Sequence, residues 1–231
     1  MKYLLYSSLF VCIAFTSCKK EGCMDKNAAN FDSEAEKQGP CNYGPVLTVN
    51  GKNPDTVLVN ETYNDPGATA TLIDGTAISV STDTSQINTS TVGSFEIHYS
   101  ASNEYGSATA TRSVYVIIGQ GNWLGNWTCT HNCDPILFPL SQDPVIIAGA
   151  SETEIVIDNM FNLIGGSVNG TLDDQIITIP QQTVDITLGE IILEGSGAMS
   201  NSGNQIVIDY DFENTTPLIG GLGSCTVVYD K

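Results

Sequence analysis

Positive charge is scarce. The 231 residues include 8 Lys plus Arg against 26 Asp plus Glu, a formal charge of −18. From Gln120 onward, Lys231 is the sole Lys or Arg. Such a surface repels phosphate backbones and anionic lipid headgroups, which excludes nucleic acid as a partner. Histidine is nearly as rare, with two in the chain, and neither sits in a catalytic pattern. There is no His-Glu-x-x-His, no Gly-x-Ser-x-Gly elbow and no phosphate-cradling glycine loop. "EGSGAMS", from Glu194, sets a serine between glycines but has no general base nearby. Carboxylates such as Asp158, Glu190 and Glu194 could be paired for glycoside hydrolysis, but charge on a solvated strand face explains them better. No enzymatic activity, cofactor or metal is expected. Helical periodicity is missing too: Thr, Val, Ile, Gly and Asn dominate, and no long segment places apolar residues at a 3.6-residue spacing. The chain reads as all-β.

The N-terminus carries the most apolar stretch. Met1 and Lys2 precede "YLLYSSLFVCIAF", too short to span a bilayer comfortably and placed as a secretory signal is. Phe15, Thr16 and Ser17 ahead of Cys18 resemble the lipobox of bacterial lipoprotein signal peptides. That resemblance implies removal of residues 1–17 and acylation of Cys18, whose lipid makes the membrane a partner. Each buried CH₂ adds about 0.8 kcal/mol of membrane affinity, so several chains anchor stably. Lys19 stands where an inner-membrane retention signal would have Asp. The expected location is the outer membrane, lipid-anchored and either periplasmic or surface-exposed.

Residues 18–44 form a lipidated N-terminus and a Cys-bracketed module. "GCMDKNAANFDSEAEKQGPCNY" resembles a short module recurrent in secreted bacterial proteins, through Gly22, Cys23, Asp25, Ala28, Asn30, Phe31, Ala35, Cys41 and Tyr43. With Cys18 acylated and Cys12 removed, an oxidising compartment favours a Cys23–Cys41 disulfide. Asp25, Asn27, Asn30, Asp32 and Glu34 offer closely spaced oxygens but lack the EF-hand pattern, and solvated turns are the plainer reading.

Residues 45–118 show short alternating runs broken at Asn50-Gly51, Asp65-Pro66-Gly67, Asp74-Gly75 and Glu104-Tyr105-Gly106, the spacing of a β-sandwich. Phe95, Ile97, Tyr99 and Ala101 alternate with Glu96, His98, Ser100 and Ser102, which turns His98 to solvent. "PVLTVNG", "YNDPGATAT", "STVG" and "ATATRSVYV" resemble the bacterial Ig-like domains of pesticidal crystal proteins and many surface proteins. The resemblance implies a spacer or interaction module without catalytic residues.

Residues 119–122 read as a linker. Residues 123–231 give about eight consecutive short strands with no helix between them, which favours an antiparallel barrel or half-barrel whose first and last strands meet. Gly125-Asn126-Trp127, "ITIPQQTV", "GSG" and "CTVVYDK" resemble lipocalin-like β-barrel domains at the C-termini of bacterial surface lipoproteins. If the terminal strands are neighbours, Cys129 or Cys133 can reach Cys225, and alternation cannot choose between them because both point to one face. The family pattern selects Cys133–Cys225, with Cys129 as a small buried hydrophobe. A Cys129–Cys133 pair is the alternative. Trp123 and Tyr105 are the aromatic candidates for surface recognition, flat rings that can stack on a sugar or partner, with simple packing the plainer reading of each. Together these features describe a non-catalytic surface lipoprotein that binds protein or glycan. A small-molecule carrier using the barrel cavity, or a structural accessory subunit, are the alternatives.

Overall fold

The computed structural model describes residues 19–162, 165–186 and 189–231. The signal segment and Cys18 lie outside the described residues. Two compact units emerge. One holds the described residues up to Thr48 with Thr69–Ser81 and Ser100–Thr109; the other holds Val49–Ala68, Thr82–Tyr99 and Ala110–Lys231.

The first unit opens with β1 (Glu21–Gly22) pairing in parallel with β2 (Lys37–Gln38). So little sheet needs other ties. A disulfide joins Cys23 to Cys41, with Cα atoms 5.0 Å apart, and closing a loop of this length contributes about 3 kcal/mol. Asp25 accepts hydrogen bonds from the Asn27 N–H at 2.9 Å and the Tyr43 hydroxyl at 2.7 Å. Asn30 Nδ2 donates to the Pro40 carbonyl and its Oδ1 receives the Asn42 N–H. Gly22 leaves room for Asp32 and Ala35, which a Cβ would meet at 3.1–3.2 Å. Lys20 bridges Asp32 and Glu34. The oxygen-rich spacing is thus spent on internal bonds.

The Ig-like domain has a three-stranded sheet of β3 (Val46–Val49), β5 (Ala68–Thr71) and β6 (Ala77–Ile78). Its four-stranded sheet runs in the order β4 (Asp55–Leu58), β9 (Gly106–Ile117), β8 (Gly93–Asn103), β7 (Ser81–Asp83). Along β8, Ile97, Tyr99 and Ala101 are buried while Glu96, His98, Ser100 and Ser102 are exposed. In the second unit Arg112 of β9 is fully buried. Its Nε donates to Asp65 Oδ1 and to the Tyr99 hydroxyl, both at 3.1 Å. The guanidinium also donates to the carbonyls of Lys52, Asn50 and Gly67. A buried charge needs this degree of pairing to be tolerated.

A helical turn, α1 (Gln120–Trp123), follows. Residues 119–122, read as a linker from the sequence, take up its N-cap and first three positions. Asn122 is nearly buried, its Nδ2 donating to the Val59 carbonyl and its Oδ1 receiving the Gly119 N–H. Gln120 donates to the carbonyls of Ser151 and Glu154. Within this unit the segment is a fixed joint, since its polar groups are held by neighbours on both sides.

The remaining strands form a nearly closed antiparallel barrel, nine in the order β10 (Gly125–Asn126), β12 (Val145–Ala148), β13 (Glu154–Asp158), β14 (Val168–Asp173), β15 (Ile176–Ile186), β16 (Gly189–Met199), β17 (Gln205–Asn214), β18 (Gly221–Asp230) and β11 (Thr128–His131). β10 and β11 are one opening strand interrupted at Trp127. One part pairs with β12 and the other with β18, so the first strand joins the two ends of the sheet. Inward positions carry Trp127, Ile146, Ile157, Ile177, Ile208 and Tyr229, all buried. Where the inward residue is Gly195 or Gly197, a Cβ would strike the Tyr210 ring or Ile208 of β17, and at Gly223 it would strike Phe212. Neighbouring large side chains therefore occupy the space that glycine leaves.

β15 changes face halfway along. Ile177 and Ile179 point inward, but beyond a bulge between Ile179 and Gln182 the buried position is Val184. The extra residue reverses the alternation, and Pro180, which has no N–H to give a ladder, sits in it. Pairing of β14 with β15 is confined to Thr171–Asp173. Beyond it the Gln182 side chain takes over, accepting from the Asn169 N–H and donating to the Asn169 carbonyl, both at 2.8 Å.

Candidate functional site

The two candidates for surface recognition differ in exposure. Tyr105 lies in the β8–β9 turn, 40% exposed, its N–H bonded to Asn103 Oδ1. Trp123 is 0% exposed, so of its two readings the packed one holds and the ring is no recognition surface. It packs in the core, and its carbonyl receives Trp127 Nε1 at 2.8 Å. A ring after a Gly-rich stretch fills space before it serves a ligand.

Cys133 and Cys225 form the second disulfide, with Cα atoms 4.9 Å apart. Cys129 is free and buried. Burial pushes its thiol up to about 12, so it is inert rather than nucleophilic. Its neighbours Tyr210 and Tyr229 are likewise raised, mainly by burial. Among the described residues there is no group of three or more His, Cys, Asp or Glu placed to hold a metal.

Exposed apolar side chains gather at one end of the barrel. The loop after β11 carries Ile136 and the loop between β17 and β18 carries Leu218 and Ile219, with Leu222 just inside β18. The two loops are joined: Asn214 Nδ2 donates to the Leu137 carbonyl at 3.0 Å, and Leu137 lies against Gly221. Leu218 is fully exposed and has φ +75°, a left-handed backbone that costs an L-residue roughly 1–2 kcal/mol. Exposure and backbone strain coincide on one leucine. Strain of this kind collects at functional sites.

On the adjoining outer face, strand register builds two rows. Ile192, Glu213 and Leu222 stand side by side on β16, β17 and β18, and beside them Glu194, Asp211 and Ser224. Between them lies a groove of about 310 Å³. Glu194 and Asp211 are directly opposed like charges, an unfavourable pairing. In the barrel no carboxylate forms an ion pair among the described residues. Lys231, the one barrel cation, donates to the Asn122 carbonyl at 2.7 Å and sits 4.8 Å from the Trp127 ring centre. Sequence reading missed this face because each of its residues, taken alone, is an ordinary exposed strand position.

Comparison with known proteins bears on the first of the two folds. Residues 47–116 match the family described as bacterial surface protein, Ig-like domain. No curated protein matches the chain. Among solved structures the chain is similar to the lipoprotein BT2262 from Bacteroides thetaiotaomicron, at 12% identity and a TM-score of 0.28, covering 81% of this chain and 100% of that one.

Proposed function

We propose that this chain is a non-catalytic lipoprotein of the bacterial cell surface, anchored through Cys18, that uses its barrel to bind a protein or glycan. The observation that carries the reading is the match of residues 47–116 to a bacterial surface Ig-like domain in a chain whose start resembles a lipoprotein signal. In this reading the Cys-bracketed module and the Ig-like domain are spacers between the lipid anchor and the barrel in chain order. The barrel interior is occupied by its own side chains, Tyr210 and Ile208 covering Gly195 and Gly197, which weighs against a small-molecule carrier. Buried, proton-retaining Cys129 weighs against thiol catalysis.

Membrane fractionation tests the anchor. Cys18→Ala should leave the membrane fraction or accumulate with its signal uncleaved, because the lipid is the only apolar attachment this reading provides. Equal membrane retention of mature mutant protein would sink it. Arrays of glycans and of envelope proteins, probed with the full chain, test the binding role; absence of any saturable binder would count against it.

A further inference from the structure

We infer that the β16–β17–β18 face with its Leu218–Leu222 loop docks a partner protein through a segment that presents aliphatic side chains between lysines or arginines. The inference rests on the surface-binding reading and names the partner's chemistry. Ile192 and Leu222 flank Glu213 in one row, and Glu194 faces Asp211 in the next. Exposed apolar area of this kind, rimmed by charge, marks interaction surfaces rather than ordinary solvated sheet. An aliphatic side chain entering the 310 Å³ groove would cover Ile192 and Leu222 and meet the solvated Leu218 loop. Cations on either side would relieve the repulsion between Glu194 and Asp211.

Charge decides among occupants. The barrel's single cation, Lys231, is already engaged by Asn122 and Trp127, so no cation of this domain is free to neutralise the rows. A second copy of the barrel brings the same excess of carboxylates, anionic lipid brings more negative charge, and a neutral glycan brings none. A basic and aliphatic protein segment satisfies both halves of the face. Complementary charge of this sort mainly raises the association rate and selects the partner.

The test uses the full chain and three seven-residue peptides, alternating Lys with Leu, Lys with Ser, and Glu with Leu. Fluorescence anisotropy should show one-to-one saturation by the Lys/Leu peptide, at least tenfold tighter than either control and weakening as salt rises. The double variant Leu218→Asn, Leu222→Asn should weaken it at least tenfold, and so should the triple variant Glu194→Gln, Asp211→Asn, Glu213→Gln. Removing charge elsewhere on the barrel, with Asp173→Asn and Asp174→Asn, should change it less than threefold. Three results would each overturn the inference: no saturation, equal binding of the Lys/Ser peptide, or an equal loss in the remote variant. Concentration-dependent dimerisation abolished by the leucine variants would assign the face to a second copy and overturn it too. A chain that binds an array member but ignores the Lys/Leu peptide keeps the surface-binding reading and loses this one.

Discussion

Cys133 lies directly across from Cys225 in the register that the barrel's closing pair of strands sets. That register matches Thr128 with Asp230, Cys129 with Tyr229 and His131 with Val227; two residues further in each direction it brings Cys133 to Cys225. Cys129 points to the same face but meets Tyr229, four positions along β18 from Cys225. The disulfide therefore fastens the seam at which the first and last strands meet, and the thiol of Cys129 is left inside.

This geometry predicts an outcome for each cysteine. Cys133→Ser should destabilise the barrel by about 2–5 kcal/mol, because the bridge closes most of the domain into one loop. Urea unfolding followed by tryptophan fluorescence reads the barrel selectively, since Trp123 and Trp127 are both buried there. Cys129 should not replace Cys133. Recovery of a Cys129–Cys225 peptide from the variant in non-reducing mapping would show that the closing strands slide.

The Arg112 cluster supplies a second prediction. Arg112→Ala leaves Asp65 and the Tyr99 hydroxyl without their cation and removes donors from three carbonyls. Breaking a buried pair from one side costs about 3–5 kcal/mol. Hydrogen exchange should accelerate most across Asn50–Gly67 and β9, while the barrel's exchange changes little. Arg112→Lys should recover only part of the loss, because an ammonium cannot reach so many acceptors in one plane.

How much of this was legible depended on whether a feature is periodic. Alternation at Phe95–Ser102 and the short runs after Trp123 gave the strands, since a strand's two faces appear directly as period two. The reversal within β15 was not legible: "ITIPQQTV" contains the proline, but only the partner strand shows that Ile179 matches Gly195 while Gln182 matches Leu193. Gln182 standing in for backbone at Asn169 is a consequence of that slip. A hydrophobic ring beside glycines, as at Trp123, looks the same in sequence whether it is covered or bare. Arg112 stood in plain view within "ATATRSVYV", yet apart from the Tyr99 hydroxyl its acceptors come from residues 45–62 positions away, beyond the reach of local pattern. The two acid and aliphatic rows likewise exist only across three strands.

The buried thiol and phenols predict how the barrel responds to alkali. Cys129 is raised from 9.0 to about 12 by burial, and Tyr210 and Tyr229 are raised above 10.0 for the same reason. Below the ordinary thiol value all three are protonated in both the folded and unfolded chains, so their protonation leaves stability flat. As pH climbs past 9.0, the unfolded chain releases the Cys129 proton while the folded barrel retains it, and stability falls until the folded value near 12 is reached. The two phenols add to the fall from 10.0 upward. Urea midpoints read by tryptophan fluorescence should therefore hold steady through neutral pH and begin to drop near pH 9. Cys129→Val removes the first of these groups without adding a polar atom, and should move the onset toward pH 10, where the tyrosines take over. An onset that stays near pH 9 in the variant would mean that another group governs the alkaline limb and that the Cys129 thiol is not held in a low-dielectric interior.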